Sequence, residues 1–283
     1  MTNNRQLVMG LNALSRAHTL NYFADGHRGG AIVSGVYLCR EHEVEPGLAQ
    51  RIATIIDEQW SAGELCQPFA DENPDPRLIA QIVSVLGDNL SGLREAGHNL
   101  ILPVLALKAL HDLPDAITPS RVAGICRLAE SFRAKEVPMA GDFPLADMRD
   151  RTQAAEFLLA EFIDCTERFL GRGQGWSGHL LTYGKAILDL RELGYAELAA
   201  KAEEGFKLYI RRVRKGPQET DKYYQEHTPI RAFPLELAYW QEPCGDLRLG
   251  HKLKYPYGFY GLMKEAQDTQ LKQRCLDLVY RVF

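Results

Sequence analysis

Apolar residues along this chain recur at spacings of three and four, as they do on the buried face of an amphipathic helix. One clear stripe is formed by Leu158, Phe162, Cys165 and Phe169. Strict alternation of apolar and polar residues, which is typical of a half-buried strand, is not convincing anywhere in the sequence. The pattern therefore predicts an all-α protein.

Four of the predicted helices are strongly apolar and follow a glycine-histidine pair. The four histidines recur at intervals of 71, 81 and 72 residues, whereas 24 glycines and 8 histidines placed at random would give fewer than one such pair. A near-constant period of this kind indicates an internal repeat. We expect each helix to begin at or just after its histidine. The pairs are Gly26-His27, Gly97-His98, Gly178-His179 and Gly250-His251.

Further helices are predicted on either side of each histidine helix, with loops marked by proline and glycine. They span about Arg5 to Phe23, Pro46 to Gly63, Pro76 to Ala96, Thr118 to Lys135, Pro144 to Leu170 and Asp268 to Phe283. The total is about twelve helices in one domain, residues 1–283, made of four quasi-repeats at roughly 1–74, 75–142, 143–216 and 217–283. Such units form an open solenoid or a closed ring. We favour a closed α/α toroid-like ring, because it brings the histidines together.

In a closed ring, equivalent residues converge near the axis and could share one metal ion. Neutral imidazoles suit transition metals, whereas calcium and magnesium prefer oxygen ligands. Fe(II) is favoured because an octahedral ion with four imidazoles keeps two positions open, Cu and Ni remain possible, and Zn fits less well because four protein ligands would close a tetrahedral site. The alternative is that each histidine only packs at a helix end, after a glycine that ends the preceding helix. The predicted ligands are His27, His98, His179 and His251.

Residues near these histidines are candidates for supporting roles. Metal-bound imidazoles usually donate their second N–H to a carboxylate or a carbonyl, and the nearest carboxylates in sequence are Asp25, Glu95 and Asp246. No catalytic residue is predicted, and aromatic residues in helices more often belong to the core than to a pocket. We expect His42, between two glutamates, at the surface, while His18 and His227 could approach the pocket. The pocket candidates are Trp176, Tyr183, Lys254, Tyr255 and Tyr257.

The repeated histidine-led apolar helices resemble those of the questin oxidase-like proteins, a group that includes fungal enzymes that oxidatively cleave rings in aromatic polyketide biosynthesis. The resemblance lies in the pattern and covers most of the chain. It implies a non-haem iron held by several histidines, a role that falls here on His27, His98, His179 and His251. It also implies a carboxylated lysine as a further ligand, to which no lysine of this shorter chain is matched.

Composition adds limits to this picture. The hydrophobic content of 46% and charged content of 25% are typical of a soluble globular protein. A net charge of −4 gives no general attraction to nucleic acid, and the basic run at 211–215 is typical of a solvated helix end. No apolar run approaches membrane-span length and no signal peptide is recognisable, so we expect a cytoplasmic protein without a membrane partner. Six scattered cysteines without a CxxC pair favour reduced thiols.

The sequence thus predicts a metal-dependent oxidoreductase, a non-haem iron oxygenase that uses dioxygen to oxygenate or cleave an aromatic or phenolic small molecule. Motifs of serine hydrolases, zinc proteases and nucleotide-binding loops are absent. One alternative is a metal-independent α/α-toroid enzyme acting on a carbohydrate or an isoprenoid, with inward carboxylates drawn from Asp142, Asp147 and Glu161. The other is a non-enzymatic helical-repeat scaffold, which would tolerate loss of all four histidines.

Overall fold

The computed structural model describes residues 4–90, 92–132, 145–172, 175–219, 221, 231–241 and 246–282, without the side chains of residues 246 and 247. Within these ranges the chain forms eleven α-helices and no strands, which confirms the all-α prediction. The helices are α1 (Asn4–Arg16), α2 (Tyr22–Glu41), α3 (Leu48–Trp60), α4 (Ile79–Asn89), α5 (His98–Asp112), α6 (Pro119–Ser131), α7 (Arg151–Arg168), α8 (Gly175–Glu192), α9 (Ala196–Arg214), α10 (Asp246–Glu265) and α11 (Thr269–Val279).

The sequence predicts about twelve helices, one more than these ranges contain. The helix expected at the start of the fourth quasi-repeat falls largely on residues 222–230 and 242–245, which lie outside the described part of the chain. Between them the structure shows a short 3-10 helix, Leu237–Trp240. The flanking helices occur where predicted but are shorter, and α1 ends at Arg16 rather than near Phe23.

The four histidine-bearing helices pack against one another in a closed order. Helix α2 contacts α5 and α10, and α8 contacts the same two helices from the other side. Outer helices cover them, with α1 on α2 and with α7 and α9 on α8. The four helices therefore enclose a common interior. The presence of internal repeats and the closure of the whole chain into a toroid stay predictions.

Three of these helices begin earlier than the sequence pattern predicts. Helix α2 begins at Tyr22, five residues before His27, because the Asn21 side chain accepts a hydrogen bond from the Ala24 N–H at 3.1 Å and caps the helix. Helices α8 and α10 likewise begin four and five residues before their histidines. Only α5 begins at its histidine, after Gly97 in the left-handed region at φ 92°.

The glycines before His27 and His179 serve for close packing rather than for ending a helix. A Cβ added at Gly26, inside α2, would lie 2.7 Å from Leu102 Cδ1 of α5. A Cβ at Gly178, inside α8, would overlap the Tyr255 ring of α10. Glycine thus lets neighbouring helices approach at the level of the histidines, and the interpretation as a helix-ending residue holds at Gly97 alone among the described glycines of these pairs.

The described helices include none with the length and hydropathy needed to cross a membrane. The thiols of Cys39, Cys66, Cys126, Cys165 and Cys275 are free, and Cys244 lies outside the described residues.

Candidate metal centre

The four imidazole rings predicted to converge lie together in the interior. Neighbouring ring centres around the group are separated by 4.5 Å (His27 to His98), 4.5 Å (His98 to His179), 5.2 Å (His179 to His251) and 5.0 Å (His251 to His27). One ring nitrogen from each of His27, His179 and His251 lies within 4.8 Å of the others. The Nε2 atoms of His27 and His98 are 3.0 Å apart. Three buried histidines are thus placed where they could hold a metal, with the fourth beside them.

The backbone fixes the direction of three rings. Nδ1 of His27 lies 2.6 Å from the carbonyl oxygen of Phe23, and Nδ1 of His179 lies 2.7 Å from that of Gly175. Nδ1 of His98 bonds to the Glu95 carbonyl in the same way. A carbonyl accepts only, so each Nδ1 carries the proton and each Nε2 keeps its lone pair. Because α2 and α8 start early, a carbonyl one turn before the histidine is in place to accept this hydrogen bond.

The carboxylates expected to orient the histidines have other partners. Asp25 pairs with Arg28, and the Glu95 carboxylate accepts a hydrogen bond from the Tyr22 hydroxyl at 2.7 Å. Glu95 supports His98 through its main-chain carbonyl instead. The side chain of the third candidate, Asp246, lies outside the described residues. At His27, His98 and His179 a backbone carbonyl therefore takes the role predicted for a carboxylate.

The electrostatic state of the group suits a cation. Burial, together with the nearby Lys254 charge, lowers the pKa of His179 to about 3. Burial likewise lowers the pKa of His27, His98 and His251 well below the usual value of 6.5. All four rings are therefore neutral near pH 7. Nε2 of His179 and Nε2 of His251 are buried and have no hydrogen-bond partner among the described residues.

Lys254 shares this interior with the histidines. It follows His251 by three residues on α10, its side chain is 1% exposed, and its Nζ has no hydrogen-bond partner among the described residues. The side chain runs past Gly30, where an added Cβ would lie 3.6 Å from Lys254 Cδ. Burial lowers the pKa of Lys254 to about 7. An unpaired buried amine beside metal-type ligands is costly unless it serves a bound group.

The other pocket candidates divide into two groups. The Tyr255 ring stacks on His251 with centres 4.8 Å apart, and its hydroxyl lies 3.3 Å from His179 Nδ1. Tyr257 lies further along α10 and donates to Asp189 at 2.7 Å.

Trp176 and Tyr183 contact other parts of the protein. The Trp176 indole N–H donates to Asp221 at 2.9 Å, and the Tyr183 hydroxyl donates to the Ala202 carbonyl at 3.3 Å while its ring packs on Phe206 of α9. Nearness to a histidine in sequence does not determine which side of α8 a residue occupies.

Phe23 is a site residue that the sequence analysis did not identify. Its ring centre lies 4.5 Å from that of His27 and 4.8 Å from that of His98. The available signal was its position four residues before His27, where a side chain lies on the same helix face. Phe23 covers the two imidazoles whose Nε2 atoms approach most closely.

Outside this group, the structure describes His42 and His18 in other surroundings. His42 is half-buried rather than on the surface, because its ring packs against Tyr260 at 5.9 Å, and burial lowers its pKa to about 4. Nδ1 of His18 bonds to the Ser15 carbonyl at 3.0 Å. His227 lies outside the described residues.

The carboxylates proposed for a metal-independent toroid enzyme do not form a free inward pair. Asp147 is exposed and pairs with Arg149 at 2.9 Å. Glu161 is buried but pairs with Arg214. Asp142 lies outside the described residues.

Comparison with known proteins identifies no relative. No family model matches the chain, and no curated protein or solved structure matches it.

Proposed function

We propose that His27, His98, His179 and His251 together hold a redox-active transition metal, Fe(II) first among the candidates, and that the protein is a dioxygen-using oxidoreductase. Its substrate would be an aromatic or phenolic small molecule, which it oxygenates or cleaves. The observation that carries the proposal is the direction of the rings, since backbone carbonyls hold Nδ1 of three histidines and leave their Nε2 lone pairs facing a shared interior.

The distances agree with metal ligation. Two ligands at a right angle, each about 2.1 Å from an ion, are about 3.0 Å apart, whereas tetrahedral ligands are about 3.4 Å apart. Nε2 of His27 and Nε2 of His98 are separated by 3.0 Å. This spacing supports ligands at a right angle, as in octahedral or square-planar coordination, rather than a tetrahedral centre.

The charges favour an anionic substrate. Four neutral imidazoles would leave the charge of a divalent ion uncompensated, and Lys254 adds an amine in the same interior. A phenolate or carboxylate would be attracted to both, and Tyr255 and Phe23 supply apolar walls that exclude water. Iron, when bound, supplies one-electron chemistry with dioxygen. Membership of the questin oxidase-like family remains part of the proposal.

We also propose that the four units form a closed ring of quasi-repeats. The support is the packing order of α2, α5, α8 and α10, in which each helix contacts two of the others as neighbours. Each of these helices carries one of the four histidines. A ring gives the regular spacing of the histidines a structural reason that an open solenoid does not.

Metal analysis tests the proposal. The purified protein and a His98→Ala, His179→Ala double variant would be loaded anaerobically with Fe(II), freed of unbound metal and analysed by mass spectrometry for elements. We expect near-stoichiometric iron in the wild-type protein and its loss in the double variant. The matched control is His42→Ala, which removes a half-buried histidine outside the group and should keep its iron.

Two outcomes would contradict the proposal. If His42→Ala lost as much iron as the double variant, the four histidines would have no special role. If neither the wild-type protein nor the double variant bound iron, copper or nickel, the histidines would be packing residues, and the scaffold and metal-independent enzyme would be the functions to pursue.

A further inference from the structure

A second buried polar group lies further along the same four helices and has no part in the proposed metal site. Asp189 of α8 is 2% exposed. Its Oδ2 accepts a hydrogen bond from the Tyr257 hydroxyl at 2.7 Å, and its Oδ1 accepts from Lys108 Nζ at 3.2 Å and from Lys185 Nζ. Lys108 also pairs at 2.7 Å with Glu41, which is partly exposed. A hydrogen-bonded connection therefore runs from Tyr257 to the protein surface.

Tyr257 lies near the histidine group because it shares α10 with His251. It follows His251 by six residues on α10, which places it about 9 Å further along the axis. Its ring is buried among helices and 3% exposed. An electron can cross such a gap through packed protein without any direct contact between the groups.

A second tyrosine continues the path outwards. The ring centre of Tyr37 lies 6.2 Å from that of Tyr257. The Tyr37 hydroxyl donates at 2.9 Å to Asp112, whose side chain is 47% exposed. Two tyrosines in succession thus lead from the interior towards solvent, and each already donates a hydrogen bond to a carboxylate.

This arrangement is suited to transfer of an electron together with a proton. A tyrosine that loses one electron becomes a much stronger acid, and its phenolic proton has to leave at the same time. Transfer is easiest when an acceptor lies within hydrogen-bond reach, at roughly 2.6–3.2 Å. Asp189 provides that acceptor for Tyr257, and Asp112 provides it for Tyr37.

We propose that Tyr257 is a redox-active residue that passes single electrons between the histidine-bound metal and Tyr37. The idea rests on the proposed metal function. The Tyr257 hydroxyl gives one electron to the oxidised centre and its proton to Asp189, leaving a neutral phenoxyl radical, a protonated carboxyl and a centre reduced by one electron. Tyr37 then reduces Tyr257, which recovers its proton from Asp189. In that step Tyr37 gives its own proton to Asp112, and it takes the proton back when a small-molecule reductant such as ascorbate supplies one electron.

Lys108 and Lys185 favour a Tyr257 radical that passes its oxidation on over one that persists. Burial alone would raise the pKa of Asp189, but the charges of Lys185 and Lys108 hold it below the usual value. Asp189 is therefore a weak base that holds an extra proton only briefly. The Tyr257 radical should be short-lived for this reason, and fast reduction by Tyr37 is what keeps it from damaging the interior.

Freeze-quench electron paramagnetic resonance tests the inference. Protein loaded with Fe(II), with its iron content measured first, would be mixed with hydrogen peroxide and frozen after successive delays. We expect a tyrosyl radical in the wild-type protein, its loss in Tyr257→Phe, and its longer persistence in Tyr37→Phe. The matched control is Tyr183→Phe, since Tyr183 is also buried but donates to a backbone carbonyl, and this variant should keep the wild-type signal.

A second variant covers the case in which Tyr257→Phe fails to fold. In Asp189→Asn the tyrosine remains while its proton acceptor is lost, together with the charge that pairs with Lys108 and Lys185, so the radical yield of the folded variant should fall at unchanged iron content.

Each contrary outcome has a distinct meaning. Iron-loaded protein that forms no tyrosyl radical overturns the relay and leaves the metal proposal intact. The same holds if the signal survives in Tyr257→Phe, or vanishes instead in a variant of Tyr22, which donates to Glu95 at 2.7 Å near the histidines. Failure to bind iron at the outset overturns the proposed function and the relay with it.

Discussion

Replacement of Lys254 by methionine should stabilise the metal-free protein, because it removes a buried amine that has no hydrogen-bond partner within the described part of the chain. Burial lowers the pKa of Lys254 from 10.5 to about 7. The unfolded chain therefore binds one more proton than the folded protein between these two pH values, and the stability of the folded state rises with pH across that window. The shift corresponds to a penalty on the order of 4 kcal/mol near pH 7, at about 1.4 kcal/mol for each pKa unit. Methionine has a similar length and carries no charge, so the variant avoids this penalty.

Urea unfolding of the metal-free protein measures the effect. The free energy of unfolding of Lys254→Met should exceed that of the wild-type protein by several kcal/mol near neutral pH. This difference in free energy of unfolding between variant and wild type should narrow by about 2 kcal/mol between roughly pH 8 and 9.5. The reason is that the wild-type protein gains stability over this range and the variant does not. The matched control is Lys207→Met, which removes the charge of a half-buried lysine paired with Glu204 and should give no such gain.

A difference between Lys254→Met and wild type that stays constant with pH would refute this reasoning. It would mean that the amine keeps its proton in the folded protein and has a partner that compensates its charge. A Lys254→Met variant less stable than wild type near neutral pH would lead to the same conclusion.

Further predictions concern packing, the buried ion group and metal binding. Gly178→Ala should destabilise the protein by about 1–3 kcal/mol in urea unfolding, because the added methyl overlaps the Tyr255 ring. The control Gly87→Ala, in a helix with room for a Cβ, should instead stabilise the protein by roughly 0.5–1 kcal/mol. Asp189→Ala leaves the buried Lys185 without its carboxylate and takes one of two carboxylate partners from Lys108, and it should cost about 3–5 kcal/mol in the same assay. Added Fe(II) or Co(II) should raise the melting temperature of the wild-type protein with increasing concentration, and His179→Ala should lose most of that increase.

The helical class and the grouping of the histidines could be predicted from the sequence, because both follow from regular spacing. A stripe such as Leu158, Phe162 and Cys165 fixes a helix face whatever surrounds it. The recurrence of one histidine in each apolar helix was enough to expect a shared location. The structure brings the rings of His27 and His251 to 5.0 Å although they lie at opposite ends of the chain.

Other features of the site depend on atoms and contacts that carry no sequence signal. The partners of Nδ1 in His27, His98 and His179 are main-chain carbonyls, which every residue possesses, and so the sequence pointed instead to nearby carboxylates such as Asp25. The Asp189 group joins lysines from α5 and α8 with a tyrosine from α10, and no motif links these positions. The direction of Tyr183 towards α9 follows from packing on Phe206 rather than from its distance to His179 in sequence.

The choice between a metal site and mere packing depends on the free-energy cost of burying these polar side chains when no ligand is bound. Nε2 of His179, Nε2 of His251 and Nζ of Lys254 are buried and lack hydrogen-bond partners among the described residues. A buried polar atom without a partner typically costs about 1–3 kcal/mol, and a charged one more. Three such atoms at one place are a large burden against a total stability of roughly 5–15 kcal/mol. Leucine at the same positions would pack without this cost, so a scaffold has no reason to keep these side chains. A bound cation with an anionic ligand would compensate all three atoms at once, and this is the strongest physical argument for a functional centre here.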